Sequence, residues 1–197
     1  MRTAILGAGK MGVWFAKYCK SKGDIVVIAD RNHTKLEVLK TELAIEVADF
    51  PTAVKGADRV LICVSISSFE EIVKKISSAI HKDQVIMDIC SIKEYPVNVM
   101  HQYLKDALVL GTHPVFGPGS TGVKHKAYVL TPTNPREAAY AEEFKNWLEK
   151  EGAHVFIMSP QKHDELMSLI LGLPHFIGLV ACETLLYRPS FLESKKL

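Results

Sequence analysis

Short apolar runs alternate with amphipathic segments over the first 158 residues of this 197-residue chain. The apolar runs are nearly continuous and rich in β-branched residues, which is typical of strands buried on both faces of a parallel sheet. The segments between them repeat apolar residues at helical spacing. This alternation predicts an α/β fold, a doubly wound, Rossmann-type, mostly parallel sheet that binds ligands at the carboxyl ends of its strands. We expect strands at 2–6, 24–30, 59–65, 84–90, 108–112, 127–131 and 154–158, and helices near 10–22, 34–43, 69–80, 94–105 and 135–151.

The pattern changes after this sheet region into one long helical run that is apolar over most of its surface. Ser159 is placed to cap the helix and Pro160 suits its first turn. Pro174 should kink it, because proline lacks an amide donor and its ring clashes with the preceding turn. We therefore divide the chain into a sheet domain at 1–158 and the start of a C-terminal helical region at 159–197. Such a helix seeks a partner, so we expect self-association, with a homodimer formed through these helices and exposed apolar side chains at Leu169, Leu173, Phe176, Leu179 and Leu185.

Composition narrows the class of protein. The chain is 48% hydrophobic and 23% charged, as in ordinary soluble globular proteins. Its 24 basic and 22 acidic residues leave a net charge of +2, and the lysines are scattered, so no nucleic-acid partner is expected. The four cysteines form no C-x-x-C pair, which suits a reducing cytoplasm, and we assign no metal site. No signal sequence is recognisable and no uncharged run approaches the length of a bilayer, so we expect no membrane association.

A glycine motif, GAGKMG, follows the first predicted strand and opens the first predicted helix. In this context Gly7 permits the tight turn, Gly9 lets the backbone approach a pyrophosphate, and Gly12 allows close packing of helix on strand. The helix N-terminus offers unpaired amides to the anion. Asp30 ends the second strand, where its carboxylate can accept hydrogen bonds from an adenosine ribose. Residues 1–158 are therefore predicted to be a dinucleotide-binding domain, and NAD is favoured.

Several neighbouring residues extend this cofactor site or complicate it. Arg31 follows the acidic residue and could pair with a 2′-phosphate, so NADP stays open as an alternative. Lys10 and Met11 lie inside the glycine motif and are counted as cofactor contacts. Ser65 ends the strand predicted at 59–65, where it either lines the nicotinamide half of the cofactor or is a plain turn residue.

Three further segments are predicted to converge at strand ends or on the long helix. A dehydrogenase that oxidises an alcohol needs an acceptor for the hydroxyl proton, and histidine is the side chain whose ordinary pKa suits neutral pH. A serine can orient the same hydroxyl or the imidazole. The catalytic candidates are Ser91 in DICSIK, His113 in GTHP and His175 in GLPHF.

Taken in order and spacing, GAGKMG, DICSIK, GTHPVFGPG and HDELMSLILGLPHF resemble the prephenate and arogenate dehydrogenase family of tyrosine biosynthesis. The resemblance implies that a nicotinamide cofactor accepts hydride from C4 of prephenate while the C1 carboxylate leaves as CO2, giving 4-hydroxyphenylpyruvate. It also implies that His113 hydrogen-bonds the ring hydroxyl and accepts its proton, and that Ser91 helps to orient both. His175 would line the substrate pocket from the helical side.

Other residues near these motifs leave two interpretations open. Lys93 and Thr112 contact substrate or cofactor, or they are a solvated lysine and a strand-end hydroxyl. His163 and Asp164, in the first turn of the long helix, are interpreted most simply as capping and surface residues. The glycine-rich loop at 117–122 closes over the substrate or forms a static turn.

Members of this family usually continue beyond the length of this chain, through a helical region that builds the dimer and supplies an arginine for a substrate carboxylate. That region is absent here, and no motif assigns its role to Arg188. The chain is therefore expected to be a fragment of a longer enzyme or a naturally short homologue. Besides prephenate dehydrogenase, the open functions are arogenate dehydrogenase, a β-hydroxyacid or imine reductase that shares the Rossmann half, and a cofactor-binding module without turnover.

Overall fold

A single twisted sheet forms the centre of the protein in the computed structural model, which describes residues 1–187. Its strands are β1 Arg2–Leu6, β2 Ile25–Ala29, β3 Glu46–Val47, β4 Arg59–Ile62, β5 Val85–Asp88, β6 Leu108–Pro114, β7 Ala127–Thr131 and β8 His154–Ile157. They lie in the order β3-β2-β1-β4-β5-β6-β7-β8. All pairs are parallel except β6 with β7. The mostly parallel sheet predicted from the sequence is confirmed.

Helices cover both faces of this sheet. They are α1 Lys10–Ser21, α2 His33–Leu43, α3 Phe50–Val54, α4 Ile66–Ile76, α5 Glu94–Tyr103 and α6 Pro135–Lys150. Two further helices follow the sheet, α7 Pro160–Met167 and α8 Leu173–Leu186, and α8 has no buried residue. One apolar core joins the sheet to α1, α2 and α6, with Trp14 and Phe144 among its aromatic members. A second core joins the opposite face to α3, α4 and α5 and contains Phe69 and Met100. The doubly wound arrangement is therefore confirmed.

Two short elements were not predicted. β3 has only two residues and pairs with β2 alone, at the edge of the sheet, so it carries too little alternation to be detected. α3 is a five-residue helix whose first turn is capped by Asp49, which accepts a hydrogen bond from the Thr52 amide at 2.8 Å. The capping aspartate and Pro51 in the first turn are recognised start signals, but no helical period follows them.

Strand β6 runs two residues beyond its predicted end, to Pro114. Its first part pairs with β5, whereas Gly111–Pro114 pairs with the antiparallel β7. The added neighbour supplies hydrogen bonds that the sequence pattern of one strand cannot reveal. His113 consequently lies within a strand, opposite Val129, rather than in the turn that follows it.

The C-terminal helical region begins as predicted. The Ser159 hydroxyl accepts a hydrogen bond from the Lys162 amide at 3.1 Å, and Pro160 occupies the first turn of α7. A π-helical turn, Ser168–Gly172, separates α7 from α8 and ends two residues before Pro174. A proline lacks an amide donor, and such turns accommodate the interrupted helix ladder. Arg188 lies outside the described residues.

The expectation that no uncharged run approaches bilayer length is wrong for this region. Residues 166–182 contain no charged side chain. Within the part of the chain that the structure describes, Pro160–Leu186 is one helical path of 27 residues. An 18-residue window of this path has a mean hydropathy of 1.8, so it is long and apolar enough to cross a membrane by length and composition only. A helix that packs on another protein chain has the same features.

Candidate functional site

The predicted site residues line up along one edge of the sheet. Strands β1, β4, β5 and β6 are neighbours and parallel, so their carboxyl ends meet at the same edge. The glycine motif follows β1, Ser65 follows β4, Ser91 follows β5, and His113 lies near the end of β6. In doubly wound sheets ligands bind at this edge, where the strand order reverses direction around β1.

The three glycines of the motif differ in what surrounds them. Gly7 has a φ of +110°, a conformation that other residues rarely adopt. A Cβ atom on Gly12 would lie 1.9 Å from the carbonyl oxygen of Gly7, so only glycine allows this approach of α1 to the turn. A Cβ atom on Gly9 would meet nothing within 4 Å. The backbone at Gly9 therefore faces open space at the start of α1, as a pyrophosphate cradle requires.

The acidic residue at the end of β2 is fixed by backbone amides. Asp30 accepts hydrogen bonds from the Ala8 amide at 2.6 Å and the Asn32 amide at 2.9 Å. Each carboxylate oxygen has a further lone pair, which can accept a ribose hydroxyl. Arg31 directs its guanidinium toward Ser68, with Nη2 3.5 Å from Oγ. Asp30, Arg31 and Ser68 border a cavity of about 180 Å³ that also touches the glycine motif.

A second and larger cavity lies next to the first, between the ends of β4 and β5. Its volume is about 520 Å³, and Lys10, Met11, Ser65 and Ser91 are among the residues that line it. Gly9 borders both cavities. The two spaces therefore form a continuous row from Asp30 to Ser91, with the N-terminus of α1 between them.

His113 lies on β6, the strand next to β5 in the sheet, and is buried, with 5% of its surface exposed. Among the described residues it is not part of the lining of either cavity. Its Nδ1 lies 2.8 Å from Nε2 of His163. The pKa of His113 is lowered to about 4, mainly by burial and also by His163 and the Lys93 cation, against an opposing effect of Asp164. The imidazole is therefore neutral at pH 7 and able to accept a proton.

The second ring nitrogen of His113 is the one available to a ligand. Within residues 1–187, Nε2 makes no hydrogen bond to the protein. In this part of the chain, the buried side-chain atoms that have no hydrogen-bond partner are Tyr18 Oη, Arg59 Nε and Thr131 Oγ1. Nε2 is not one of them. A general base needs such an accessible lone pair.

The interpretation of His163 and Asp164 as surface and capping residues of their own helix is wrong. His163 is completely buried, and its Nδ1 lies 2.7 Å from Oδ1 of Asp164. Asp164 accepts hydrogen bonds from the amides of Lys93 at 2.6 Å and Glu94 at 3.0 Å. The carboxylate thus caps the N-terminus of α5, a helix about seventy positions earlier in the sequence, and no local pattern could reveal this contact.

Lys93 is neither solvated nor directed at a ligand, contrary to both expectations. Its side chain is fully buried, forms an ion pair with Asp88, and donates to the Thr112 carbonyl at 2.5 Å. The Thr112 amide donates to Asp88 Oδ1 at 3.1 Å, and its hydroxyl donates to the Asp88 carbonyl. These groups join the ends of β5 and β6 next to His113 in the sequence. The burial of Asp88 was not predicted.

The remaining candidates are not brought into contact with His113. Ser91 is exposed on the wall of the larger cavity, and the hydrogen bond that orients the His113 ring comes from His163 instead. His175 is exposed on α8, with Nδ1 2.5 Å from the Leu171 carbonyl oxygen of the same helical path. The described residues therefore group Ser91 and His113 at the sheet edge and leave His175 on the helix.

The glycine-rich loop is tied to the body of the domain. Trp14 on α1 donates its indole N–H to the Ser120 carbonyl at 2.6 Å, and the Ser120 hydroxyl donates to the Gly122 carbonyl. Gly117, Gly119 and Gly122 all have ordinary negative φ values, unlike the glycines of tight turns in this chain. The loop thus makes no use of glycine's special conformations, and its contacts favour the static turn.

Comparison with known proteins identifies the family to which this fold and site belong. The family model for the prephenate dehydrogenase nucleotide-binding domain matches residues 15–157. A probable arogenate/prephenate dehydrogenase of Methanocaldococcus jannaschii is 34% identical over 173 residues, which cover 86% of this chain and 39% of that protein. The prephenate dehydrogenase of Bacillus subtilis is 26% identical over 180 residues, covering 79% and 48%. The chain thus spans less than half the length of these relatives.

Solved structures give the same relationship. Prephenate dehydrogenase from Aquifex aeolicus in complex with hydroxyphenyl propionate and NAD+ superimposes with a TM-score of 0.81 at 26% identity, over 96% of this chain and 71% of that one. An imine reductase from Streptomyces aurantiacus has a TM-score of 0.71 at 14% identity, which shows a shared fold alone. The family match and the similarity of fold lead to the same family assignment. The chain belongs to the prephenate dehydrogenase family and contains its nucleotide-binding domain.

Proposed function

We propose that the protein binds NAD and carries out the oxidative decarboxylation of prephenate to 4-hydroxyphenylpyruvate in tyrosine biosynthesis. The observation that carries this proposal is the row formed by the glycine motif, the two cavities and the neutral, buried His113 along one sheet edge. Arogenate dehydrogenase is the close alternative, since arogenate differs from prephenate only by an amino group in place of the side-chain ketone. A cofactor-binding module without turnover is the third.

The cofactor fits the residues present. Gly9 leaves room for a pyrophosphate at the start of α1, and Asp30 is held at the position of the adenosine ribose. This arrangement leaves Lys10, Met11 and Ser65 beside the nicotinamide half, in the larger cavity. When bound, NAD+ supplies the acceptor for the hydride.

His113 is proposed to act as the proton acceptor in this reaction. Its neutral imidazole takes the proton of the substrate hydroxyl on Nε2 as the hydride leaves C4 and the C1–carboxylate bond breaks to release CO2. The electron pair from that bond completes the aromatic ring, which makes the step effectively irreversible. Ser91, on the cavity wall, would hydrogen-bond the same hydroxyl. His175 would line the pocket from the helical side.

The preference for NAD over NADP depends on two adjacent residues. The Asp30 carboxylate would accept ribose hydroxyls and repel a 2′-phosphate, which favours NAD. Arg31 borders the same cavity and is the group that would instead pair with a phosphate. Comparing the Kd of NAD+ and NADP+ for the protein and for Arg31→Ala separates the two. Tighter binding of NADP+, lost in the variant, would contradict the preference.

We also propose that the chain divides into a dinucleotide-binding domain at 1–158 and a helical region at 159–197 that forms a homodimer. The support is the apolar surface of α8, where Phe176 is 65% and Leu179 71% exposed. Light scattering after gel filtration tests this. Phe176→Glu should weaken the dimer, whereas the control Val38→Glu, at an exposed position on α2, should leave it intact. A monomeric native protein would contradict the proposal.

The cytoplasm is the proposed location, because the cysteines at positions 19, 63, 90 and 182 are all free thiols, as a reducing compartment keeps them. No nucleic-acid or membrane partner is part of the proposal. Fractionation of the producing cells tests this assignment. Recovery of the native protein in washed membranes would contradict it.

The experiment that tests the proposed reaction is the appearance of the reduced-nicotinamide absorbance band. Prephenate and arogenate are each supplied with NAD+ to the native protein and to His113→Asn. We expect turnover of prephenate, with an unchanged affinity for NAD+ and roughly a hundredfold or larger loss of turnover in the variant. NAD+ binding without turnover by the intact dimer would favour the binding module. An unchanged rate in His113→Asn would remove His113 from the proton-transfer role.

A further inference from the structure

His113 is the inner end of a chain of three side chains. Its Nδ1 lies 2.8 Å from Nε2 of His163, whose Nδ1 lies 2.7 Å from Oδ1 of Asp164. β6 supplies the first member of this chain, and α7 supplies the other two as consecutive residues. Both histidines are buried, with 5% and 0% of their surface exposed, whereas Asp164 is partly exposed.

The direction of each hydrogen bond in this chain follows from the charge of Asp164. Burial opposes its ionisation, but hydrogen bonds from the Glu94 amide, His163 and the Lys93 amide together hold the pKa of the carboxyl below its usual range. At neutral pH Asp164 is therefore a carboxylate, which can only accept hydrogen bonds. The proton between Asp164 and His163 must then be on Nδ1 of His163.

The same reasoning applies to the next hydrogen bond, between His163 and His113. Burial lowers the pKa of His163, against the opposing effect of Asp164, so its ring is neutral at pH 7. A neutral imidazole with its proton on Nδ1 has an acceptor at Nε2. Nδ1 of His113 must therefore be the donor. The neutral His113 ring is left with an unprotonated Nε2.

We propose that His163 and Asp164 are positioning residues that hold His113 as its Nδ1–H tautomer, with the Nε2 lone pair available to a ligand. The other charged groups around the chain are Lys93 and Asp88, which are paired with each other under β6. Lys93 opposes a positive charge on both histidines, and Asp88 favours one on His163. The alternative tautomer would present an N–H donor to the ligand and could not accept a proton.

The catalytic meaning of this inference rests on the proposed function, but the tautomer itself does not. An aspartate that fixes the tautomer of a catalytic histidine is a general device of acid–base sites. Here a second histidine is interposed between the carboxylate and the base. His163 is completely buried and its Nε2 faces Nδ1 of His113, so it acts through His113.

The test is nitrogen-15 NMR of the histidine rings in the native protein without ligand, at neutral pH. We expect His113 to show a protonated Nδ1 and an unprotonated Nε2. His163→Gln provides a matched conservative variant, because its amide oxygen can accept from His113 while its amide N–H donates to Asp164. His163→Leu removes both functions at similar bulk.

We expect the Nδ1–H form of His113 to persist in His163→Gln and to give way to a mixture or to the Nε2–H form in His163→Leu. If prephenate is turned over, the rate should fall at least about tenfold further in the leucine than in the glutamine variant. An Nε2–H form of His113 in the native protein would overturn the inference, and so would an unaltered Nδ1–H form in a folded leucine variant. Absence of turnover in the native protein would count against the proposed function alone.

Discussion

The buried state of His113 predicts a specific dependence of stability on pH. Its pKa is about 4 in the folded protein, whereas an unfolded histidine titrates near about 6.5. The unfolded chain therefore binds a proton more readily than the folded protein between these values. The sign follows from linkage: the contribution of neutral His113 is fully present above about pH 6.5 and is lost as the pH falls toward about 4.

The size of the effect follows from the same two pKa values. Between about pH 7.5 and about pH 5, protonation of the unfolded chain lowers the free energy of unfolding by about 2 kcal/mol through this one residue. Only 5% of the His113 surface is exposed. Solvent screening therefore reduces this free-energy difference little. His163, whose pKa is also lowered by burial, adds a fall of the same sign.

Urea unfolding followed by circular dichroism at both pH values measures this difference. In His113→Asn the titrating group is gone, while the asparagine amide can still donate to His163. The loss of stability on acidification should therefore be smaller in the variant by about 2 kcal/mol. His81→Asn, at an exposed position, is the control and should behave like the native protein. Equal pH dependence in His113→Asn and the native protein would refute the burial of a neutral imidazole at this position.

Three further predictions concern the residues around the site. Gly12→Ala should lower the melting temperature and abolish NAD+ binding, because its Cβ would overlap the carbonyl oxygen of Gly7. Gly9→Ala should keep the native melting temperature and lose only affinity for NAD+. Equal melting temperatures of the two variants in calorimetry would contradict this prediction. Lys93→Met should lower the free energy of unfolding in urea by about 3–5 kcal/mol, because it leaves Asp88 buried without its partner. The double variant with Asp88→Asn should lose less than the sum of the two single variants. Strictly additive losses would contradict the pairing. Ser159→Ala should cost about 1 kcal/mol through loss of the α7 cap, and an unchanged unfolding midpoint would show that the cap contributes nothing.

The parts of the fold that were predictable are those with a regular period. Buried strands and amphipathic helices follow one another clearly enough to give the sheet, its class and the edge that binds ligands. The glycine motif was informative because its strand, helix and acidic residue all lie within thirty positions. The two-residue β3 was missed because a pair of residues has no period. The antiparallel extension of β6 was missed because it depends on a neighbouring strand.

The site was only partly predictable, because its buried polar contacts join distant segments. His113 was found from its motif, but its partner His163 lies fifty positions away in another motif, and nothing in either motif indicates that the two rings meet. Lys93 was expected either to contact a ligand or to be solvated, because lysine is rarely buried, and its ion pair with Asp88 forms only in the folded structure. Asp164 resembled an ordinary first-turn acid, although it caps a different helix.

A crystal structure of the native protein with NAD+ tests most directly the claim that this sheet edge is a dinucleotide site ending at His113. We expect the adenosine ribose at Asp30, the pyrophosphate over Gly9, and the nicotinamide ring in the larger cavity between Ser65 and Ser91, on the His113 side. Nε2 of His113 should then face the space above the nicotinamide ring where a substrate hydroxyl would lie. A nicotinamide ring bound at the Asp30 end, or separated from His113 by protein, would contradict the assignment of His113 as the proton acceptor.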